Sequence, residues 1–135
     1  MSEAGDSGFT LLEALVVVAI TAIIAGMIVP NVQQSLAILS LRESARIVQA
    51  DLRVARATAM RTGTSVTVKL RPDHHGYDWI GGTRQLPKEV TLNMSAPLSF
   101  MPDGSMKPAN VELWERNRRV PINFNTATGS ITAGS

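Results

Sequence analysis

Between Phe9 and Val29 the chain runs through an apolar block of roughly 20 residues, about the length a helix needs to cross a bilayer core. Leu11, Leu12, Leu15, Val16, Val17, Val18, Ile20, Ile23, Ile24, Met27, Ile28 and Val29 leave it no polar face. A helix that is apolar all round must lie in lipid or in the core of a bundle. Its one charge is Glu13, close to the amino-terminal edge. Gly26 and Pro30 weaken the far end, and a kink is expected at Pro30, which lacks a backbone donor and crowds the preceding turn.

This block is not a conventional secretory signal. Its apolar part is too long, no basic region precedes it, and no small-residue cleavage site follows. The leader "MSEAGDSG" contains Glu3 and Asp6 but no Lys or Arg, so the positive-inside rule assigns no orientation. There is no cysteine, which excludes disulfides, thiolate metal sites and thiol nucleophiles. The formal net charge is +2. That is too mildly basic to argue for a polyanion partner.

Beyond Pro30 the composition becomes that of a soluble protein. Leu41, Ala45, Val48, Leu52, Ala55 and Ala59 alternate spacings of four and three, which makes one apolar stripe on a helix. Arg42, Arg46, Arg53 and Arg56 form a basic flank beside the stripe, read as a solvated face with contacts to acidic neighbours as the alternative. Arg61 followed by Gly63 is a helix-end signal. A helix from Phe9 to this point has about 54 residues and a length of roughly 80 Å, so part of it must be buried outside its own small domain.

From Thr64 the period drops to two. "TSVTVKL", "YDWI", "EVTLNM", "LSFM", "NVELW", "RVPINFN" and "SIT" read as short strands, with "PDHHG", "PDG" and "ATG" as turns and "GG" at Gly81 and Gly82 as a break. The expected fold class is α+β: one long helix, membrane-spanning in its first half, packed through its amphipathic second half on a small antiparallel β domain. The expected divisions are a leader at 1–8, the spanning half at 9–30, the amphipathic half at 31–62 and the β domain at 63–135. A β domain of this size has little core of its own, so its sheet is expected to pack on the helical stripe.

The remaining constellations invite little chemistry. His74 and His75 are adjacent in a turn and point in different directions, so a solvated turn is expected and no metal site. Arg116, Arg118 and Arg119 are read as capping a β turn, and Trp79 and Trp114 as cover for a thin core. No nucleophile, histidine and acid are arranged suggestively, and no glycine-rich phosphate loop follows a strand. The chain is therefore not expected to be an enzyme or to hold a cofactor.

"GFTLLEALVVVAI" resembles the leader junction of type IV prepilins and type II secretion pseudopilins. The resemblance implies that a membrane prepilin peptidase cuts between Gly8 and Phe9 and then methylates the new amine of Phe9. It also implies a bacterial inner-membrane protein with a single span, its carboxyl-terminal domain in the periplasm, working with an inner-membrane assembly platform. Glu13 then falls at the fifth mature position, where that family usually keeps an acid, and Pro30 at the twenty-second. In a bundle of such helices Glu13 could not reach water and would need a cation. Cutting after Gly8 creates one, the ammonium of Phe9 on a neighbouring subunit.

The carboxyl-terminal half is similar to the ending of the GspH/FimT group, through Phe100, Gly104, Val111 to Trp114, Arg116 to Arg119, Ile122 to Phe124, and Gly129 with Ile131. This implies a minor pseudopilin near the tip of a periplasmic fibre, with other major and minor pseudopilins as partners. The alternative in the same group is a minor pilin that binds DNA for transformation. No arginine follows Arg119 and no aromatics interleave with the bases to stack on nucleotides, so DNA is not the expected partner. Arg42, Arg46, Arg53, Arg56, Arg116, Arg118 and Arg119 are the candidate contacts with partners or DNA.

Overall fold

The computed structural model describes residues 10–125 and 128–134, with the backbone alone at positions 30 and 31. One helix, α1 (Leu11–Thr62), is followed by eight strands: β1 (Val66–Leu70), β2 (Gly76–Trp79), β3 (Gly82–Gln85), β4 (Thr91–Met94), β5 (Leu98–Phe100), β6 (Val111–Glu115), β7 (Arg118–Phe124) and β8 (Ile131–Ala133). Contacts divide the chain into two units, Met1–Leu36 and Ala37–Ser135. The first contains the apolar part of α1. The second contains the rest of α1 and all the strands. The helix assignment runs through position 30, and the kink expected of the Pro30 side chain lies outside the described residues.

In the second unit all six members of the stripe, Leu41, Ala45, Val48, Leu52, Ala55 and Ala59, are buried. Their partners in the core come from both sheets and include Val66, Val68, Tyr77, Leu92, Leu98, Phe100, Leu113, Ile122 and Ile131. Burying a large aliphatic or aromatic side chain stabilises by about 1.5–3 kcal/mol. The helix thus supplies the apolar surface that a thin β domain lacks. Gly63, at φ +67°, ends the helix in the left-handed conformation, its N–H donating to the Ala59 carbonyl at 3.0 Å.

The strands form two four-stranded antiparallel sheets, ordered β3-β2-β1-β5 and β4-β6-β7-β8. β1 alternates as read, with Val66 and Val68 buried and Thr67 and Lys69 exposed. The "GG" break is corrected. Gly82 opens β3, and Ile80 and Gly81 form the turn of a hairpin closed by the pair Trp79 and Gly82. Glycine is needed at 81 because a Cβ there would run into the Trp79 ring. β3 carries too few apolar residues to show a period, and only its pairing with β2 makes it a strand.

The "PDHHG" segment is a turn, but its histidines are more than a solvated loop. His75 Nδ1 lies 2.9 Å from the Val90 carbonyl and His74 Nδ1 lies 3.1 Å from the Leu92 carbonyl. A carbonyl only accepts, so both rings carry their proton on Nδ1. Backbone groups bond in return, the Leu92 N–H donating to the His74 carbonyl and the Leu86 N–H to the His75 carbonyl, each 2.8 Å. The turn stitches the first sheet to the outer edge of β4. Among the described residues no group of three metal-ligating side chains includes either ring.

Glu115 is an exception to the apolar inner face of β6. It is 5% exposed, and its Oε2 has no hydrogen-bond partner among the described residues. Burial, and then the nearby Glu89 carboxylate, push its pKa above the usual carboxylate range, against a pull downward from Arg116 and Arg118. The folded state therefore holds this proton more tightly than the unfolded state. Stability must fall as pH rises from the unfolded carboxyl value of about 4.3 through the raised folded one. Glu115→Gln is expected to stabilise the chain at pH 7 by about 1 kcal/mol, and the gain should vanish below about pH 4. Urea midpoints at the two pH values check this. An equal gain at both would disprove the assignment.

Candidate functional site

The start of α1 carries its own cap and an acid in its first turn. Thr10 caps the helix: the Glu13 N–H donates to Thr10 Oγ1 at 3.2 Å, and the Ala14 N–H to the Thr10 carbonyl at 3.0 Å. Glu13 lies three residues after its cap, the spacing of a capping box. It is the acid of the helix's first turn, where the positive end of the peptide dipoles favours a negative charge. The sequence reading explained Glu13 by a partner's cation and by the favourable helix amino terminus, and did not use its spacing from Thr10. The "TLLE" spacing adds a local reason for an acid here, and it was visible in the residues. Gly8 and Phe9, the expected cut and methylation positions, lie outside the described residues.

Beyond Glu13 none of the described residues of the first unit is buried. The apolar side chains from Leu11 to Val29 named above are 48–81% exposed. A continuous apolar surface of this size needs lipid or other helices to cover it. This stretch makes α1 the one helix, among the described residues, long and apolar enough to cross a membrane.

In the second unit the seven candidate arginines separate into two groups. Arg53 is exposed and Arg56 half-buried, and both also bond within the chain. Arg53 Nη2 donates to the Ile131 carbonyl at 2.9 Å, which also accepts from Gln49 Nε2, and Arg56 Nε donates to the Gly104 carbonyl at 2.9 Å. These side chains fasten α1 to the start of β8 and to the turn at Gly104 between β5 and β6. Gly104 and Gly129 both have positive φ, at +83° and +65°. A Cβ on Gly129 would run into the Arg56 guanidinium, so glycine there is what leaves the arginine its place.

Gly129→Ala is accordingly expected to cost about 2–3 kcal/mol, from left-handed backbone strain of roughly 1–2 kcal/mol and a displaced charged hydrogen bond. In an Arg56→Ala background the same change should cost only the strain. A double-mutant cycle by urea unfolding tests this, and strict additivity would rule out the clamp.

Arg42, Arg46, Arg116, Arg118 and Arg119 are exposed. Arg116 occupies the β6–β7 turn at φ +53°, and Glu115 and Arg118 close the hairpin. Arg119 Nη1 lies 3.6 Å from Glu112, whose other oxygen accepts from Trp114 Nε1 at 3.1 Å. Both tryptophans are half-buried, and Trp79 packs against the core.

A group that the sequence reading did not single out holds the helix to the first sheet. Asp51, 7% exposed on α1, accepts from Tyr77 Oη at 2.6 Å and from Arg84 Nε and Nη2 at 2.7 and 3.1 Å. Tyr77 and Arg84 are cross-strand partners in the β2–β3 hairpin. Burial first, then the bond to Asp51, pushes the Tyr77 hydroxyl far above its ordinary pKa. The Asp51 carboxylate likewise raises Arg84.

Comparison with known proteins agrees with both ends of the chain. Residues 4–29 match the profile of the prokaryotic N-terminal methylation motif, and residues 44–135 match that of the type II transport protein GspH. No protein of curated function matches. Two structures of the minor pseudopilin EpsH from the type 2 secretion system of Vibrio cholerae share the fold. One is 13% identical with a TM-score of 0.56, over 70% of this chain and 95% of that one. The other is 12% identical with a TM-score of 0.54, over 71% and 94%. A membrane-length apolar helix behind a methylation motif and a pilin-like head built on the rest of that helix meet in one molecule, and the chain belongs to the GspH family of type II transport proteins.

Proposed function

We propose that this protein is a minor pseudopilin that is stored in the bacterial inner membrane by its apolar half-helix. It is then drawn into a short periplasmic fibre, near whose tip it links other major and minor pseudopilins during export of folded proteins. Processing between Gly8 and Phe9 by a prepilin peptidase, with methylation of Phe9, prepares it for assembly on an inner-membrane platform. The observation that carries this reading is the uncovered apolar half of α1 on a helix whose other half is the core of a folded domain. Such a helix suits a subunit that exchanges lipid for the helices of its neighbours. The family match and the methylation motif support it.

Mass spectrometry of the mature protein tests the first step. The expected amino terminus is methylated Phe9, and an intact Met1 in a strain with active peptidase would overturn the reading. Deleting the gene and scoring both exoprotein secretion and DNA uptake tests the second. Secretion should fall with uptake unchanged, and the reverse result would favour the DNA-binding pilin.

A further inference from the structure

We propose that a cleft between α1 and β7 is the docking site for an acidic, aliphatic segment of a neighbouring protein subunit. The cleft has a volume of about 270 Å³ and is lined by Ile38, Leu41 and Arg42 of α1, Arg118, Arg119 and Val120 of β7, and Gly134. Leu41 is buried, and Ile38 and Val120 are half-buried, so the floor is aliphatic. The three arginines are exposed around it. Arg42 and Arg118 lie some 76 positions apart in the sequence, which gave no reason to expect them at one place. The fold brings them to one opening.

The charge in this opening is only partly matched from within the chain. Glu112 lies 3.6 Å from Arg119, and the buried Glu115 interacts with Arg118 across the hairpin. Among the described residues no carboxylate forms an ion pair with Arg42. Guanidinium groups present forked donors that suit a carboxylate. An aliphatic floor of this size takes one or two branched side chains. The complement is therefore a carboxylate next to a Leu, Ile or Val, carried on a protein surface.

A nucleic acid strand fits less well. It needs a basic track with stacking faces, and this site is a small concavity with Glu112 at its edge. The proposal rests on the fibre-subunit reading for the identity of the partner, since a subunit packed among others presents its head to theirs. It does not rest on it for the chemistry of the cleft.

The test uses the full chain in detergent micelles, observed by amide NMR during titration with the peptide acetyl-Ala-Leu-Glu-Ile-Asp-Ala-amide. Saturable shifts are expected at Leu41, Val120 and Gly134. Binding should weaken by about tenfold or more when the peptide acids become amides, or when Arg42→Glu or Arg118→Glu is introduced. Both arginines are exposed; Arg42→Glu should leave the urea midpoint unchanged, and because Arg118 faces the buried Glu115, a cooperative urea transition is the check that Arg118→Glu folds. No saturable shifts, or equal binding of the neutral peptide, would overturn the proposal. So would tighter binding of a thymidine hexanucleotide or of short-chain phosphatidylglycerol at the same residues.

In cells, the two charge reversals should lower secretion while the mature terminus still begins at Phe9. Normal secretion with both reversals would also count against the site. If the unaltered chain proves unprocessed and dispensable for secretion, the fibre reading fails while the peptide titration still judges the cleft.

Discussion

Asp51→Ala should lower the unfolding free energy of the full chain by about 3 kcal/mol, the low end of the range for breaking a buried ion pair. The low end applies because Arg84 is 43% exposed by its side chain and can regain water, whereas the Tyr77 hydroxyl is buried and cannot. An unsatisfied buried hydroxyl alone costs about 1–3 kcal/mol. Arg84→Ala should cost at least as much as Asp51→Ala, because it strands the aspartate at 7% exposure with one remaining donor. Tyr77→Phe should cost least, about 1 kcal/mol.

Urea unfolding in detergent, followed by tryptophan fluorescence, measures all three, with Trp79 on the affected hairpin as reporter. The pair Asp51 and Arg84 should show a coupling of about 0.5–3 kcal/mol in a double-mutant cycle. Because the Tyr77 hydroxyl is raised in the fold, the native state keeps that proton where the unfolded state loses it. Stability must then fall as pH rises above the unfolded tyrosine value of about 10. Tyr77→Phe should flatten that alkaline loss. An unchanged midpoint for Asp51→Ala would mean that the hairpin is held by apolar contacts alone.

What the residues disclosed and what they concealed follow one physical line. The stripe from Leu41 to Ala59 was legible because a helix buries its core side at fixed spacing, and every member is buried. The turn at Gly63 was legible because glycine takes positive φ without strain. The strand β3 was not, since "GTRQ" has no apolar alternation and exists by pairing with β2. The partners of Asp51 were hidden for the same reason, 26 and 33 residues away on a hairpin half of which was unread.

The arginine flank was visible, but its division was not. Periodicity puts Arg53 and Arg56 beside Arg42 and Arg46, and only the distant carbonyls of Gly104 and Ile131 decide which of them is engaged. Gly129 was noted as part of a resemblance, and in this fold it makes room for a guanidinium supplied from α1. Local rules thus gave the helix and every strand but β3, and contacts between distant segments gave the charges their partners.

Glu13→Gln is the substitution expected to affect function most. Exoprotein secretion should fall at least tenfold while membrane insertion and cleavage after Gly8 continue. In the isolated chain the side chain is exposed and lies in the first turn, where it adds roughly 0.3–1 kcal/mol to the helix end. Glutamine forfeits that modest term and makes the span easier to insert, so a defect in storage is not expected. The large term appears only when helices pack and water leaves. A carboxylate and an ammonium 4 Å apart gain about 4 kcal/mol at an effective dielectric of 20, before desolvation is subtracted.

Glutamine keeps the size and hydrogen-bonding oxygen of the acid but supplies no charge to pair with the amine of Phe9 on another subunit. Crosslinking to the major pseudopilin should therefore be lost with the protein still present in the membrane. Glu13→Asp, which keeps the charge on a shorter arm, should retain part of the activity. If the glutamine variant secretes normally, the acid serves its own helix cap and assembly does not depend on its charge.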